Sequence, residues 1–229
     1  MTKKIAWITD TAAFIPQEMI KKHNIHVLLA NLIFEDGAYR ETLDLTQEQF
    51  YEKLKNAKNH PKSSQPSFGD QIELYERLKK EGYDCAIAVH VSSKQSGIYN
   101  CALMAAQQTG FEAYVIDSRI GSYPMQKMIE HGIKLEKQGL SPQEIVKEIE
   151  DMRDRTQLAI VPASLEQLYK SGRVKGVAML LSNLLNIKLI IAYNKEGFCD
   201  VFQKVRAEKK ARKVLTDMLD DALKLSRKN

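Results

Sequence analysis

Short apolar runs alternate along this chain with longer amphipathic stretches, the pattern of strands interleaved with helices. Ile5 to Thr9 is a compact apolar run closing on Thr9-Asp10-Thr11, and Pro16 then opens a helix through about Lys22. His26 to Phe34 predicts a second strand, with Glu35-Asp36-Gly37 as its turn. Thr46-Gln47-Glu48-Gln49 has the form of a capping box, Thr46 accepting from the third helical residue while Gln49 reaches back; the helix carries Phe50, Tyr51 and Leu54. Asn56 to Gly69 is polar and predicts a loop before a helix around Ile72 to Lys80. Residues 85–91 predict a buried strand, 98–108 a helix, and 112–116 a strand ending in Asp117-Ser118-Arg119. Met125 to Gln138 is a helix stopped by Gly139, and Ser141-Pro142-Gln143-Glu144 starts another.

After Arg155 the texture changes. Gln157 to Pro162 predicts a strand, Ser164 to Lys170 a helix, and Ser171 to Val174 a turn. Apolar Val177 to Ile187 leads into a strand, Lys188 to Tyr193, which pairs as a hairpin with Phe198 to Val205 across Asn194-Lys195-Glu196-Gly197. A helix fills most of the remainder. The pattern predicts an α/β fold: an N-terminal domain over residues 1–152, its parallel sheet flanked by helices, and a smaller α/β second domain over residues 153–229 with a mixed or antiparallel sheet.

Composition narrows this little. With 229 residues, 44% of them hydrophobic and 28% charged, the chain has an ordinary globular make-up. Its net charge of +5 is densest at Lys204, Arg206, Lys209, Lys210, Arg212 and Lys213, either a solvated face or a surface for an acidic partner. Cys85, Cys101 and Cys199 lack metal-like or CxxC spacing, which suits thiols in a reducing compartment. No signal peptide is read at the N-terminus, and no apolar run approaches the roughly 20 residues of a membrane helix. A cytoplasmic protein is expected. Neither phosphate-binding glycine motif occurs, and nucleic-acid binding would rest on charge alone.

Two serine-rich stretches carry the chemistry. Ser92-Ser93-Lys94-Gln95-Ser96-Gly97 follows a predicted strand and precedes a predicted helix, where hydroxyls and free N–H groups meet an anion. Ser63-Ser64-Gln65-Pro66-Ser67 is the second. Asp10, flanked by Thr9 and Thr11, and Asp117-Ser118 end other strands, and each acid is either a turn cap or an acid in the crevice. A catalytic serine at Ser93 or Ser96 would need a base, for which His90 is the nearby candidate, but no Gly-x-Ser-x-Gly elbow is present. No catalytic residue and no metal ligand is assigned. Val177 to Leu181 and Leu184 to Ile187 supply flexible apolar side chains, suited to core packing or to an acyl-chain pocket.

Together these residues resemble the DegV family of bacterial fatty-acid-binding proteins. The resemblance runs from Ile5 to about Val214: Thr9-Asp10-Thr11 for a Thr-Asp-Ser strand end, Ser63-Ser64-Gln65-Pro66-Ser67 for Thr-Ser-Gln-Pro-Ser, and Ser92 to Tyr99 for Ser-Ser-x-x-Ser-Gly-Thr-Tyr, with Ile98 replacing Thr. Asp117-Ser118, Gly172-Arg173-Val174 and Lys204-Val205-Arg206 follow in order. The resemblance implies two α/β domains and a long-chain fatty acid as bound ligand, without a cofactor. Its carboxylate would be held by Ser93 with Ser63 or Ser64, aided by Ser92, Ser96, Gly97 and either Arg173 or Arg206, with Asp10, Thr11, Asp117 and Ser118 in support. It also implies a carrier that presents the acid to an ATP-dependent fatty acid kinase. Family members run longer and end in a His-Thr-Gly-Pro-Gly segment absent from this sequence, so a homodimer is one way to cover an incomplete second domain. Two alternatives stand beside the carrier: an enzyme acting on a small phosphorylated or carboxylated substrate in the same crevice, and a degenerate member serving protein contacts.

Overall fold

The computed structural model describes residues 3–175 and 187–226, without the side chains of Leu165, Gln167, Lys175, Leu225 and Ser226. The chain forms two compact units, Met1–Thr156 and Gln157–Asn229. The expected division after residue 152 falls inside the last turn of a helix that continues to Asp154.

In the first unit, β1 (Ile5–Asp10), β2 (His26–Leu28), β6 (Cys85–His90) and β7 (Ala113–Asp117) form a wholly parallel sheet ordered β2-β1-β6-β7. Every residue of β1 and β6 is buried, as strands covered on both faces require. Helices α3 (Phe68–Lys80) and α4 (Ile98–Thr109) pack together on one face, where Ala6, Ile8, Ala86 and Ala88 meet Leu74, Tyr75, Leu78 and Ile98. The pair α5 (Ser122–Lys137) and α6 (Pro142–Asp154) packs on β6 and β7. There Trp7 lies so close to Gly132 that a Cβ would come within 2.3 Å of its ring, so the glycine is needed for the approach of α5. The Trp7 indole N–H donates to Glu136 at 2.7 Å.

The remaining elements are α1 (Gln17–His23), β3 (Asn31–Phe34), β4 (Gly37–Arg40), α2 (Gln47–Asn56) and β5 (Lys62–Ser64). The apolar run 26–34 is therefore two strands: β2 joins the parallel sheet, while β3 pairs antiparallel with β4 and β5 in a separate three-stranded sheet. The polar segment 56–69 is likewise no simple loop, since β5 lies within it. Helix α3 begins earlier than its apolar pattern suggested, because Ser67 and Asp70 form a second capping box. The boxes at Thr46 and Ser141 stand as their sequences predict.

In the second unit, β8 (Ala159–Ile160), β10 (Ile187–Tyr193), β11 (Cys199–Arg206) and β9 (Val174–Lys175) form a mixed sheet ordered β8-β10-β11-β9. Strand β9 occupies part of the expected turn and runs parallel to β11. Helix α7 (Leu165–Ser171) supplies Leu168 to the sheet face carrying Leu189, Ile191 and Cys199. The other face, with Ile190 and Val205, packs on Ala211, Val214 and Leu215 of α8 (Glu208–Ser226). Opposite Ile190 and Ile191 the ladder shifts register, leaving Phe202 as an extra residue in β11. This bulge lets Val205 face α8 although Cys199 and Val201 face away from it.

Candidate functional site

The carboxyl ends of β1, β6 and β7 converge on one rim, which is where open parallel sheets bind ligands. Asp10 closes β1 on the same face as Ala6 and Ile8. Its Oδ1 accepts from the Ala12 N–H at 3.0 Å, capping a single 3-10 turn, Thr11–Ala13. Its Oδ2 accepts from His90 Nδ1 at 3.0 Å, at the end of β6, and from the N–H of Val91, the next residue, at 3.0 Å. The Asp10 and His90 side chains are 6% and 0% exposed, so neither faces a ligand from bulk water. Thr9 adds a third tie, its hydroxyl donating to Val89 O at 2.9 Å. Thr11 itself is half-buried in the turn.

Past His90 the chain makes a tight polar turn. Ser92 is wholly buried: its N–H donates to Ile120 O at 2.9 Å, its Oγ accepts from the Lys94 N–H at 3.2 Å, and its carbonyl receives the N–H groups of Gln95 and Ser96. Asp117 Oδ1 accepts from the N–H of Ser93 at 3.1 Å and of Arg119 at 2.9 Å, tying the loop after β6 to the loop after β7. Buried Ser118 donates its hydroxyl to Ile120 O and its N–H to His90 O. Asp10, Asp117, Ser92 and Ser118 are thus braces. What they hold in place is Ser93, half-buried, whose hydroxyl has no partner among the described residues. Ser96 turns inward to the start of α4, where its Oγ accepts from the Ile98 N–H at 3.3 Å.

The second serine stretch lies in edge strand β5, where Ser64 pairs with Asn31 and Ser63 with Leu32. Both serines are exposed, and adjacent strand residues point to opposite faces. Ser67 is committed to capping α3. The side chain that reaches the other serine loop is Gln65, which the sequence alone left without a role. Its Oε1 lies 3.4 Å from Ser96 Oγ and its Nε2 3.0 Å from Cys101 Sγ. Pro66 was the available signal, because a residue before proline is held extended and projects its side chain sideways.

Non-glycine residues with left-handed backbones cluster after these strands: Phe14 (φ 52°), Arg119 (φ 54°) and Ser122 (φ 62°). Strain of that kind concentrates where a rim is shaped for a task. His90, the candidate base, bonds Asp10 through Nδ1; among the described residues its buried Nε2 has no partner, and no hydrogen bond joins it to Ser93 or Ser96. Among the described residues no His, Cys, Asp or Glu cluster is arranged to hold a metal ion, and no helix is long and apolar enough to cross a membrane.

In the second unit, exposed Arg173 precedes β9, its guanidinium donating to Ser171 O at 2.8 Å. Arg206 ends β11. Val174 pairs with Cys199, so Arg173 is level with the start of β11 and the two arginines stand about 25 Å apart along the strand. One carboxylate can take only one of them. Arg206, opposite Ile187, lies on the sheet face away from α8. The apolar residues 177–186, read as core or as an acyl-chain pocket, lie outside the described residues.

A sequence profile of the DegV family, described as uncharacterised proteins, matches residues 4–229. A DegV domain-containing protein of Halalkalibacterium halodurans is 36% identical over 209 residues, covering 91% of this chain and 74% of its own. Among solved structures, a fatty acid binding DegV family protein from Streptococcus agalactiae superposes with a TM-score of 0.90 at 30% identity, over 96% of this chain and 78% of that one. DegV, a fatty acid binding protein from Bacillus subtilis, gives 0.86 at 33% identity with the same coverage.

Proposed function

Because the chain belongs to the DegV family, we propose that it binds a long-chain fatty acid, with the carboxylate on the rim of the parallel sheet and Ser93 as its principal donor. The observation that carries this reading is the Ser93 hydroxyl, without a partner among the described residues, on a loop whose backbone is tied down by Ser92 and Asp117. A carboxylate is the acceptor such a hydroxyl lacks, and a charge-assisted bond is the stronger kind. Of the two β5 serines, Ser63 falls on the side of Gln65 if the strand's alternation continues one residue, which favours Ser63 over Ser64 as the second hydroxyl.

Among the described residues His90 is bonded to Asp10 and to neither Ser93 nor Ser96, which supports reading the protein as a holder of its ligand. Presentation of the bound acid to an ATP-dependent fatty acid kinase is the matching role. Native mass spectrometry after gentle purification from a bacterial host tests the central claim: the expected result is a co-purified acyl chain, exchangeable for added oleate. No co-purified acid, together with no binding of oleate or palmitate, overturns it.

A further inference from the structure

Gly97 is the N-cap of α4, with φ −80° and ψ 0°. Any residue adopts that conformation, so the backbone does not ask for glycine there. Space does: a Cβ on Gly97 would stand 2.7 Å from Gln65 Oε1, 3.3 Å from Nε2 and 3.4 Å from Cδ. The Gln65 amide occupies the room that a side chain at 97 would take. From there it spans Ser96 and Cys101 on the first loop and helix, while Asn31 Nδ2 donates to the Gln65 carbonyl at 3.5 Å from β3. These polar contacts link the two serine stretches through one side chain.

Resting on the fatty-acid reading, we infer that Gln65 is a positioning residue that sets the gap between the Ser93 and Ser63 hydroxyls and so confers preference for a carboxylate head group. The amide is a strut: it touches no ligand, and the missing Cβ of Gly97 is its seat. Ser96 is capped onto α4 at one end of the strut, and β5 is laddered to β3 at the other. Removing the amide frees β5 to drift from the loop by the width of a side chain. Two hydroxyls that no longer converge lose a carboxylate, yet still admit an uncharged head group that never used both.

Gly97→Ala supplies an independent handle. Its Cβ would meet only the far end of a flexible side chain, so it evicts the Gln65 amide without disturbing the fold. The test is a coupled set, Gln65→Ala, Gly97→Ala and the double variant, each titrated with oleate and with oleyl alcohol in the full chain. Each single variant is expected to weaken oleate about tenfold, while oleyl alcohol binds as before and the melting temperature holds. In the Gln65→Ala background Gly97→Ala is expected to add nothing, the non-additivity of two changes to one contact. Equal losses for oleate and oleyl alcohol, or additive effects, overturn the strut. Wild-type protein that binds neither probe defeats the fatty-acid reading itself; wild type that binds oleate, with Gln65 variants unchanged, defeats only this inference.

Discussion

Removing the Asp10 carboxylate should loosen the sheet rim before it touches ligand binding directly. Asp10 accepts three hydrogen bonds, from the N–H groups of Ala12 and Val91 and from His90 Nδ1, each at 3.0 Å, and its side chain is 6% exposed. Asp10→Ala leaves all three donors without an acceptor where little water can replace it. Leaving a buried donor without its acceptor costs about 1–3 kcal/mol for each group stranded. Asp10→Asn is gentler: it keeps the shape but sets an amide N–H₂ against at least one existing donor, for about 1–3 kcal/mol. Trp7, the only tryptophan, lies buried in β1 itself, so urea unfolding followed by its fluorescence reads the unit that contains Asp10. At about 2–4 °C per kcal/mol for a domain of this size, Asp10→Ala should lower the melting temperature by roughly 10 °C. Should Asp10→Ala unfold within about 0.5 kcal/mol of wild type, the brace is wrong and Asp10 returns to candidacy as a free acid in the crevice.

Other outcomes follow from the same geometry. Ser93→Ala should cost about 1.5–3 kcal/mol of oleate affinity with unchanged melting, whereas Ser92→Ala should destabilise the fold by about 0.5–1.5 kcal/mol through its lost bond to Lys94; exchanged phenotypes would reverse the two roles. Gly132→Ala drives a Cβ into Trp7 and Ile149, both in the core, and should cost at least about 1–3 kcal/mol with a shifted Trp7 emission. Burial and the nearby Arg77 hold the His26 imidazole below its ordinary value of 6.5. The unfolded chain therefore binds that proton first, and stability should fall as pH drops through and below about 6.5, by at most about 1.4 kcal/mol per pH unit for this group. His26→Gln should make that part of the curve shallower, the rest coming from His23, which burial and the nearby Lys137 also hold low, while the carboxylates lowered by Lys3 and Lys53 act only at more acid pH. Burial pushes the Cys85 and Cys199 thiols up to about 11, so a thiol reagent at pH 8 should label half-buried Cys101 first; a fast phase that survives Cys101→Ser would contradict this.

Where local chemistry decides structure, the sequence is readable. The capping boxes at Thr46 and Ser141 and the fully apolar strands β1 and β6 needed no tertiary information. Ser67-x-x-Asp70 obeys the same capping logic with a shorter acid, and the surrounding serines masked it as loop. Strand β5 was invisible for a physical reason: Lys62, Ser63 and Ser64 are exposed, carry no apolar alternation, and become a strand only by pairing with β3. The run 26–34 reads as one strand because both halves are apolar, though they serve different sheets. At the site, the serine loops and their acids were legible as residue types. The division between braces and a presented hydroxyl was not, since it depends on which N–H groups Asp10, Ser92 and Asp117 meet across the fold. The separation of Arg173 from Arg206 is a fact of strand register, which no spacing in the chain encodes.

The bulge at Phe202 gives β11 a spare link. In a regular strand, losing one residue turns every later side chain to the opposite face. Here the extra residue already sits outside the pairing, with Val201 opposite Ile191 and Gln203 opposite Ile190. Phe202 is 54% exposed and takes little part in the core. Deleting it closes the ladder while Val205 still meets α8 and Arg206 still projects to the other side. The direction of Arg206 is therefore buffered against a length change at this point: the strand can shorten by one and keep its arginine aimed where it was.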